Sequence, residues 1–559
     1  MHKVSEPGRD TRAATHEVRN QATPLENHNL YRGDTALMEA VAREQAGWAQ
    51  DDLCRYGAVC GDPEVIQWGF EANEQLPRFD SHDRFGHRVD EVVYHPSYHR
   101  LMAMALREGL HAAPWNAPGP GAHVARAAKY YLHSQVEAAH CCPITMTFAA
   151  VPSLRLTPAI AEQWLPKVLA CDYNPRNTSA EHKPALTLGM GMTEKQGGSD
   201  VRANTTSARP AGSDALGAAY ELVGHKWFLS APMCDAFLML AQAPEGLSCF
   251  LVPRWRRDGD RNAVQIQRLK DKLGNRANAS SEVELRGAEG WLIGEAGRGV
   301  PAITEMVAMT RFDCMLGSSA AQHQAVIQAV HHAHQRKAFG KTLIEQPLMR
   351  NVLADLQLEA EGSLALTMRM ARALDHADNP HEKALIRLGT AVGKYWICKR
   401  TPGHSYEAME CIGGNGVIEN CIMPRLYREA PINAIWEGSG NVQALDVLRA
   451  LDKNPATLEA WWQEIQPWAQ PHTPLSRAVD ALKEAFADTQ QREFRARYLV
   501  DQLALVMQGA LLLRTGNDRV AEAFIRSRLG NTGDRHYGTL PTGLAIEELL
   551  QRADPRPDE

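Results

Sequence analysis

The sequence predicts a mainly α-helical protein with a central antiparallel β domain. Apolar residues recur three and four positions apart before residue 185 and again after 300, whereas short apolar runs separated by turn residues fill the part between them. The predicted domains are an N-terminal arm and helical domain at 1–185, a β domain at 186–295, a four-helix bundle at 296–452 and an extra helical domain at 453–559. Helical content should exceed the average for globular proteins.

The N-terminal region begins with a polar segment of mixed charge. Residues 1–30 are therefore predicted to form an extended arm. Helical spacing covers 36–48 and 96–110, and an alanine-rich helical stretch covers 122–139. Proline and glycine at 117–121 predict a loop just before that stretch.

The β domain is predicted from short apolar runs between turn residues. These runs are typical of strands that pair with their neighbours in a compact sheet. The predicted strands cover 220–223, 226–230, 236–241, 247–253, 264–269 and 282–285.

Long amphipathic stretches after the β domain predict the helix bundle. They cover 300–334, 348–376, 380–411 and 441–451. The extra C-terminal domain has helical periodicity at 475–487, 492–513 and 520–529, and the last residues, 554–559, are predicted to fray.

The composition narrows the class of protein. The chain has 559 residues, 44% of them hydrophobic, and a formal net charge of −6, which predicts no general attraction to nucleic acid or anionic membrane. The N-terminus lacks an apolar run like that of a signal peptide, and no apolar stretch of membrane-spanning length is evident. The 11 cysteines are scattered without a Cys-x-x-Cys pair, which argues against a zinc site or a disulfide framework and indicates a reducing cytoplasm.

One carboxylate lies in a setting that suits proton abstraction. Glu437 follows Trp436 and precedes Gly438. A bulky ring excludes water and strengthens the base, and glycine lets a flat cofactor approach the backbone. The alternative is an ordinary loop that leads into a helix with a buried stripe, capped by Ser439.

A glycine-rich stretch at 189–200 marks the entrance to the β domain. Its hydroxyl and backbone N–H groups suit a polar ligand, but the spacing matches neither a Walker loop nor a Rossmann fingerprint. Taken alone, the stretch is as well explained by a structural turn.

Five motifs in this order resemble the signatures of the acyl-CoA dehydrogenase family. They are Thr193-Glu194 with Gly198-Ser199-Asp200, the run 226–230, the run 336–340 with Gln346, the run 413–416, and Trp436-Glu437-Gly438-Ser439. Each motif alone is weak evidence for this family, but the occurrence of all five in this order over 190–445 is specific to it. The resemblance implies the acyl-CoA dehydrogenase fold and FAD as cofactor.

Further runs narrow the resemblance to the AidB-type branch, which is linked to the adaptive response to DNA alkylation. Lys195 stands where most family members carry proline. The runs 142–148, 269–276 and 424–429 also resemble this branch, and the similarity extends from about residue 20 to 450 and more loosely into the tail.

The resemblance implies a role for each matching residue. Glu437 would remove the α-proton of an acyl thioester while the flavin takes the β-hydrogen as hydride. Thr193 and Ser230 would hydrogen-bond the flavin ring, Phe228 would pack on it, Ser199 would contact the pyrophosphate, and Arg336 would reach the pyrophosphate of a neighbouring subunit. The implied FAD contacts are Met190, Met192, Thr193, Gly198, Ser199, Phe228, Leu229, Ser230, Arg336, Phe339, Gln346, Gly413, Gly414, Ile435, Trp436, Gly438, Ser439, Asn441 and Leu445.

Two positions bear on these roles. Some members carry the base just before an arginine that matches Arg311, which is expected to contact substrate. Here Thr310 stands at that place and cannot act as a base, so Glu437 is left. Glu410 stands where many members have a glutamine that contacts FAD. An ionised glutamate would be repelled by the pyrophosphate, so this contact is lost or the acid is protonated or turned away; the alternative is a solvated helix residue.

Other polar clusters are predicted to be structural. The group His331, His332 and His334 has helical spacing and no evident carboxylate partner, which favours surface histidines over a metal site. No metal is therefore predicted.

AidB-type proteins carry a C-terminal domain linked to DNA binding, so the resemblance implies positive charge in the tail. Residues 451–559 contain 13 Lys+Arg and 16 Asp+Glu, which contradicts a generally basic domain. A local surplus remains at 492–528, where an arginine face could bind phosphates; the alternative is a solvated helix pair. The candidate DNA contacts are Arg492, Arg495, Arg497, Arg514, Arg519, Arg526 and Arg528.

The sequence therefore favours a cytoplasmic, homotetrameric FAD protein without a membrane partner. The main hypothesis is weak dehydrogenation of short or branched acyl-CoA together with protection of DNA from alkylation, with double-stranded DNA as a partner. A conventional metabolic acyl-CoA dehydrogenase, for example an isovaleryl-CoA-like enzyme, is the first alternative. An FAD-bound DNA-binding protein with vestigial catalysis is the second.

Overall fold

A computed structural model describes residues 15–471, 473–530 and 536–556. The first 14 residues of the predicted arm lie outside this part. Residues 15–30 have no regular structure, but they are held against the bundle: Thr23 N donates to the Gln335 side chain at 2.8 Å, and the Asn20 side chain donates to Lys337 O at 2.9 Å. The described half of the arm is therefore docked on the protein.

From residue 15 onward, eight α-helices and one hairpin form the N-terminal region. The helices are α1 (Thr35–Arg43), α2 (Gln50–Cys60), α3 (Pro63–Glu74), α4 (Pro96–Arg107), α5 (Ala113–Asn116), α6 (Ala122–Val136), α7 (Cys141–Arg155) and α8 (Pro158–Val168). The hairpin β1 (Arg78–His82) and β2 (Arg88–Val93) lies between α3 and α4. It was not predicted, because its strands are polar and only Val92 is fully buried.

The β domain is a seven-stranded sheet. Its strands are β3 (Leu188–Gly191), β4 (Ser207–Asp214), β5 (Gly217–Ser230), β6 (Ala236–Ala243), β7 (Gly246–Pro253), β8 (Val264–Leu269) and β9 (Ser280–Ile293). Strands β4, β5, β9, β7 and β6 pair in a closed ring, with β8 added beside β9 and β3 parallel to β6. The carboxyl ends of β3 and β5, which carry the predicted flavin contacts, therefore come from one sheet.

Three long helices and a shorter one form the bundle. They are α9 (Gly299–Gln335), α10 (Pro347–Asp375), α11 (Pro380–Ile412) and α14 (Gly440–Lys453). A small hairpin, β10 (Lys337–Ala338) and β11 (Lys341–Thr342), follows α9, and the short helices α12 (Met423–Glu429) and α13 (Ile432–Ile435) precede α14. The protein is about 54% helical, so the predicted fold class and high helical content are confirmed.

The described part of the tail adds five α-helices. They are α15 (Ala456–Ile465), α16 (Pro474–Ala487), α17 (Ala496–Arg514), α18 (Asp518–Phe524) and α19 (Ile546–Arg552). Helix α17 packs against α10, α11, α14, α15 and α16. Within the described ranges it is the one helix whose length and composition would suit a membrane span, and most of it is buried inside the protein.

One contiguous apolar core runs through all four regions, from Leu25 in the arm to Ala553 after α19. The predicted limits at 185, 295 and 452 therefore stay a prediction. The predicted fraying of 554–559 is wrong for its described part, because Pro555 is buried and the Arg556 guanidinium donates to Glu26 O at 2.9 Å. Residues 557–559 lie outside the described part.

Candidate functional site

Glu437 lies in the loop between α13 and α14, in a backbone conformation that is rare for a residue with a side chain. Its φ is 57°, in the left-handed region, which costs on the order of 1–3 kcal/mol for a non-glycine residue. Lys394, on α11 and only 1% exposed, donates from Nζ to Trp436 O and to Gly438 O, both at 2.7 Å. One ammonium thus holds the carbonyls on both sides of Glu437.

The carbonyl of Glu437 is held as well. Arg311 on α9 donates from Nε to this oxygen at 2.9 Å, and Gln443 on α14 donates to it at 3.0 Å. A second N–H of Arg311 pairs with Asp446 at 3.0 Å. Three helices therefore hold the loop in the strained conformation. In this structure Arg311 positions the base, and its predicted contact with substrate stays a prediction.

Within the described ranges, the Glu437 carboxylate has one hydrogen-bond donor. Thr310 Oγ1 donates to it at 3.1 Å. Burial raises the pKa of Glu437 above its usual value, and the charges of Lys394 and Arg311 and the Thr310 bond offset only part of that increase. A carboxylate with a raised pKa and little hydrogen bonding is a competent general base.

The base lies where the bundle meets the other two regions. Burial raises the pKa of the Cys142 thiol at the start of α7, and the charge of Glu437 adds to that increase, while the hydrogen bond with Ser230 at the end of β5 opposes it. Cys142 is therefore near enough to both Glu437 and the predicted flavin contact Ser230 to respond to each of them.

The predicted flavin segments lie side by side in the β domain. Trp227 N donates to Thr193 O at 2.9 Å, which joins the loop after β3 to the end of β5. Gly198 is required there, since a Cβ at this position would lie 2.5 Å from Thr193 Oγ1. The predicted contacts Met190, Met192 and Ser199 belong to the same β3 strand and loop.

These residues fit an FAD. Among the described residues, the hydroxyls of Thr193 and Ser199 have no hydrogen-bond partner, and Ser230 Oγ bonds Ser280 Oγ at 3.1 Å and the Cys142 thiol. The Phe228 side chain is 47% exposed beside them. Free hydroxyls next to an open aromatic face suit the polar edge and the flat surface of an isoalloxazine.

The side chain of Leu229 faces away from the other predicted flavin contacts of β5, and its predicted contact with FAD stays a prediction. Its side chain is fully buried in the domain core against Gly191, and its carbonyl accepts from Ser281 Oγ at 3.0 Å. In a strand, neighbouring side chains point to opposite faces, so Leu229 faces the core between Phe228 and Ser230. Its side chain therefore supports the site from the core side.

A buried ion pair supports the flavin loop. Glu194 and Lys226 are 2.8 Å apart with both side chains fully buried, and the Thr205 and Thr206 N–H groups also bond Glu194. Burial opposes ionisation of Glu194, but the Lys226 charge and these hydrogen bonds outweigh it and lower its pKa to about 2. The pair therefore fixes the segment that carries Thr193.

We expect Glu194→Gln to lower the free energy of unfolding by roughly 3–5 kcal/mol near neutral pH, because Lys226 is left buried without its counter-charge. Urea denaturation measures this. The matched control is Glu284→Gln, which removes an exposed pair with Arg286 and should cost under about 1 kcal/mol. Since the pKa of Glu194 is depressed, the difference should be full above pH 4.5 and vanish as the pH falls toward about 2. Equal losses in the two variants would contradict the assigned role.

A second group of predicted FAD residues lies at the far end of α9. Arg336, Phe339 and Gln346 belong to the hairpin and turn after this helix, and Gly413 and Gly414 follow α11. The arm joins them: the Arg336 guanidinium donates to Asn20 O, and the Asn415 side chain donates to the Gln21 side chain at 3.1 Å. At 1.5 Å per residue, Arg336 is ~37 Å along the helix from Arg311. This group therefore lies too far from Glu437 to share its FAD site within one chain.

The third group of predicted contacts flanks Glu437. Ile435 is 65% exposed, and Trp436 is partly buried with its Nε1 donating to Asn433 Oδ1 at 2.9 Å. Ser439 stands at the N-cap of α14 without a side-chain capping bond, so the simple capping role is absent. Gly438 has φ 101°, and a Cβ there would lie 2.7 Å from Gln443 Nε2. Leu445 is partly buried, and the exposed Asn441 accepts from Arg497 at 2.8 Å.

The structure shows the surroundings of Glu410 on α11 and of the histidines on α9. Glu410 is exposed, and its charge and hydrogen bond raise the pKa of Tyr406, which agrees with a solvated helix residue. The prediction of surface histidines is wrong for His331 and His332, which are 8% and 7% exposed. His331 Nε2 bonds Thr23 O at 2.9 Å, because the docked arm covers this face of α9.

The seven tail arginines do not form one free face. Each bonds another residue of the chain. Arg528 is 8% exposed and pairs with Asp355, and Arg514 pairs with the buried Glu44, so these two predicted DNA contacts are corrected to structural ion pairs. Arg497 and Arg519 remain exposed.

The fold brings together a cluster that the sequence did not indicate. His133, His140 and Cys141 place potential metal-ligating atoms within 4.8 Å of one another. Their hydrogen bonds explain the arrangement: Tyr56 bonds His133 Nδ1, the two histidines bond each other, and His140 Nδ1 bonds Glu137. We therefore describe the cluster as a buried hydrogen-bonded chain.

Sequence reasoning missed Lys394 and Gln443, which hold the base. Lys394 had a detectable signal, since it is the single charge in the apolar run 391–398 of a helix. A charge inside a buried helical stretch requires partners. Together, the closed sheet between helical regions, the free hydroxyls at its edge and the held carboxylate define a flavin-dependent oxidoreductase.

Comparison with known proteins identifies the family. Residues 20–175 match the model of the adaptive response protein AidB N-terminal domain, 189–288 the acyl-CoA dehydrogenase middle domain and 297–451 its C-terminal domain. AidB of Escherichia coli (strain K12) is 46% identical over 96% of this chain and 97% of that protein. Acyl-CoA dehydrogenase family member 11 of Caenorhabditis elegans is 30% identical over 88% and 85%.

Two solved structures resemble the whole chain. The apo-form of Bd2924 has a TM-score of 0.82 at 28% identity and covers 89% of this chain and 99% of its own. ACDH-11 of Caenorhabditis elegans, in complex with C11-CoA, has a TM-score of 0.82 at 26% identity and covers 99% of this chain and 95% of its own. The chain belongs to the acyl-CoA dehydrogenase family, in its AidB-type branch, and FAD is the cofactor of this family.

Proposed function

We propose that this protein catalyses FAD-dependent α,β-dehydrogenation of short or branched acyl-CoA, with Glu437 as the base. The observation that carries the proposal is the Glu437 loop, which Lys394, Arg311 and Gln443 hold in a strained conformation beside Ser230. Strain that three helices maintain around a carboxylate is typical of a catalytic group. The C11-CoA bound to ACDH-11 supports acyl-CoA as the class of substrate.

The bound FAD supplies the acceptor for the β-hydrogen, which leaves as a hydride. Glu437 takes the α-proton, and its raised pKa matches it to that weak acid. Thr310 keeps the carboxylate oriented through its hydrogen bond. Trp436 and the helices around it limit access of water.

Anaerobic titration of the FAD-loaded protein with straight and branched acyl-CoAs tests the proposal. We expect the visible flavin absorbance to bleach with at least one short or branched thioester, with one enoyl-CoA formed per FAD. Rapid and complete bleaching would favour the conventional metabolic enzyme. Absence of bleaching with every thioester would contradict dehydrogenation and favour vestigial catalysis.

We further propose a homotetramer in which the Arg336 group contacts the FAD of a neighbouring subunit. Supporting this are the ~37 Å along α9 that separate the Arg336 group from Glu437 and the full exposure of Phe339, which is 100% accessible beside Arg336. A monomer by sedimentation velocity, with FAD bound, would contradict this assembly.

We also propose that the protein acts in the cytoplasm and protects DNA from alkylation. The support for this role is the similarity to AidB, together with the two tail arginines that remain exposed, Arg497 and Arg519. Phosphate contacts of this kind weaken steeply with salt. Retention on duplex DNA that is unchanged between low and moderate salt would contradict an arginine-based contact.

A further inference from the structure

Three sequence runs that resemble the AidB-type branch meet at one place in the fold. Cys142 comes from the run 142–148, Lys272 from 269–276 and Glu429 from 424–429. Asn275 joins two of them, since its N–H donates to Glu429 and its side-chain oxygen lies 3.4 Å from Lys272 Nζ. Distant parts of the chain thus build one polar cluster next to the part of the β domain that carries the predicted flavin contacts.

Lys272 is the cation of this cluster. Its Nζ donates to Asn278 O at 2.7 Å and to Ser280 Oγ at 2.9 Å. Ser280 Oγ in turn lies 3.1 Å from Ser230 Oγ, the predicted flavin contact. Two hydroxyls therefore connect the ammonium to the cofactor site.

No carboxylate among the described residues pairs with Lys272 within 4 Å. The titratable groups that face it are Cys142 from α7, Glu429 from α12 and Glu137 before α7. Burial lowers the pKa of Lys272 to about 8, against the charges of these groups. Burial also raises the pKa of Glu429 to about 7, and Glu137 adds to that increase, while Asn275, Lys272 and Arg425 oppose it.

A neighbouring Lys270 has a different arrangement. Its Nζ pairs with Glu282 at 2.7 Å and lies 3.2 Å from the centre of the Trp227 ring. Its charge is thus neutralised nearby. The charge of Lys272 acts instead through neutral hydroxyls, which transmit its field toward the flavin edge.

We propose that Lys272 is a positioning residue that orients Ser280 and Ser230 and whose positive charge favours reduction of the bound FAD. The inference rests on the proposed function, which places the flavin ring at Ser230. Reduction adds negative charge to the ring system, and a cation two hydroxyls away stabilises that charge. Deprotonation of Lys272 removes the stabilisation, so the bias toward reduction depends on pH.

The test measures the equilibrium between the protein and a reference redox dye under anaerobic conditions, across a pH range on both sides of 8. Two electrons and one proton pass from the reduced dye to the FAD. The absorbance spectrum gives the ratio of reduced to oxidised FAD and the ratio of reduced to oxidised dye. We expect Lys272→Met to lower the equilibrium constant for FAD reduction near neutral pH on the order of tenfold, about 30 mV for a two-electron couple. In the wild type, the equilibrium constant for FAD reduction should fall by the same factor as the pH rises through about 8, the pKa of Lys272.

Two further variants make the result decisive. Lys272→Arg should keep the neutral-pH constant and lose the break near pH 8, because arginine does not titrate there. Lys383→Met, an exposed position on α11, should match the wild type throughout. If Lys272→Met fails to fold, a retained break in Lys272→Arg overturns the inference on its own.

The outcomes separate the inference from the proposed function. If wild-type FAD bleaches with acyl-CoA while Lys272→Met and Lys383→Met give equal constants at every pH, the role of Lys272 is wrong and the function stands. If Ser230→Ala leaves the flavin spectrum and FAD affinity unchanged, the flavin does not contact Ser230 and the role of Lys272 is wrong, whereas the proposed function falls only if no acyl-CoA bleaches the wild-type FAD.

Discussion

Replacing Glu437 by Gln is expected to slow reduction of the FAD by acyl-CoA roughly 10³-fold, the range that a general base contributes. Glutamine keeps the shape of the side chain and can still accept the hydrogen bond from Thr310, but it cannot take a proton at neutral pH. The bimolecular step of binding should change little, since the amide fills the same space. Anaerobic stopped-flow absorbance measures the two separately, as a limiting rate and an apparent dissociation constant.

Two variants sharpen this result. Glu437→Asp keeps the carboxylate but withdraws it from the substrate, so it should fall between wild type and Glu437→Gln. Glu459→Gln, at an exposed position on α15, should behave as wild type. The wild-type limiting rate should rise with pH through a pKa above the usual 4.5 of a glutamate, because the base acts only when ionised. An unchanged rate in Glu437→Gln would contradict its role.

Replacing Lys394 by Met is expected to slow the same step roughly 10²-fold, the cost of a small misplacement of a catalytic group. Methionine has a similar length but donates no hydrogen bond, so the carbonyls of Trp436 and Gly438 lose the ammonium that holds them. The strained backbone at Glu437 can then relax. The variant also removes a nearby positive charge that lowers the pKa of Glu437.

The sign of the pH effect distinguishes this role from general destabilisation. Without the Lys394 charge, the pKa of Glu437 rises further, so the pH–rate profile of Lys394→Met should shift to higher pH. Lys394→Gln keeps one hydrogen-bond donor group without the charge. Its pH–rate profile should show the same shift, with a smaller loss of rate at high pH. Lys383→Met, on the same helix, is the control. A lower rate with an unshifted pH–rate profile would contradict the effect of the Lys394 charge on the pKa of Glu437.

The long helices and five of the seven strands of the β domain were predictable because their signal is periodic and local. Strands β3 and β4 were missed, because β3 is short with two glycines and β4 is almost entirely exposed. The predicted limits of 380–411 and 475–487 differ by at most a residue or two from α11 and α16. The hairpin β1–β2 was missed, since it owes its position to packing on the β domain: the Arg88 guanidinium donates to Ile266 O at 2.5 Å.

The candidate site was predictable only in part, for a physical reason. Glu437 and Thr193 lie in glycine-containing motifs that leave a mark in the sequence. Lys394 acts through the main-chain oxygens of residues 42 and 44 positions away, and no sequence pattern encodes such a contact. Likewise, the charge of Arg528 suggested a free phosphate contact, whereas its burial depends on Asp355 from α10.

The position of α17 changes how the C-terminal region should be handled in the laboratory. This helix lies among α10, α11 and α14, and its inner face is continuous with the interior of the bundle. A version of the protein cut short before residue 496 would expose a wide apolar strip and is expected to aggregate. A single protease nick in the exposed stretch 488–491 should instead leave two pieces that stay together, which makes the region suitable for split-protein complementation.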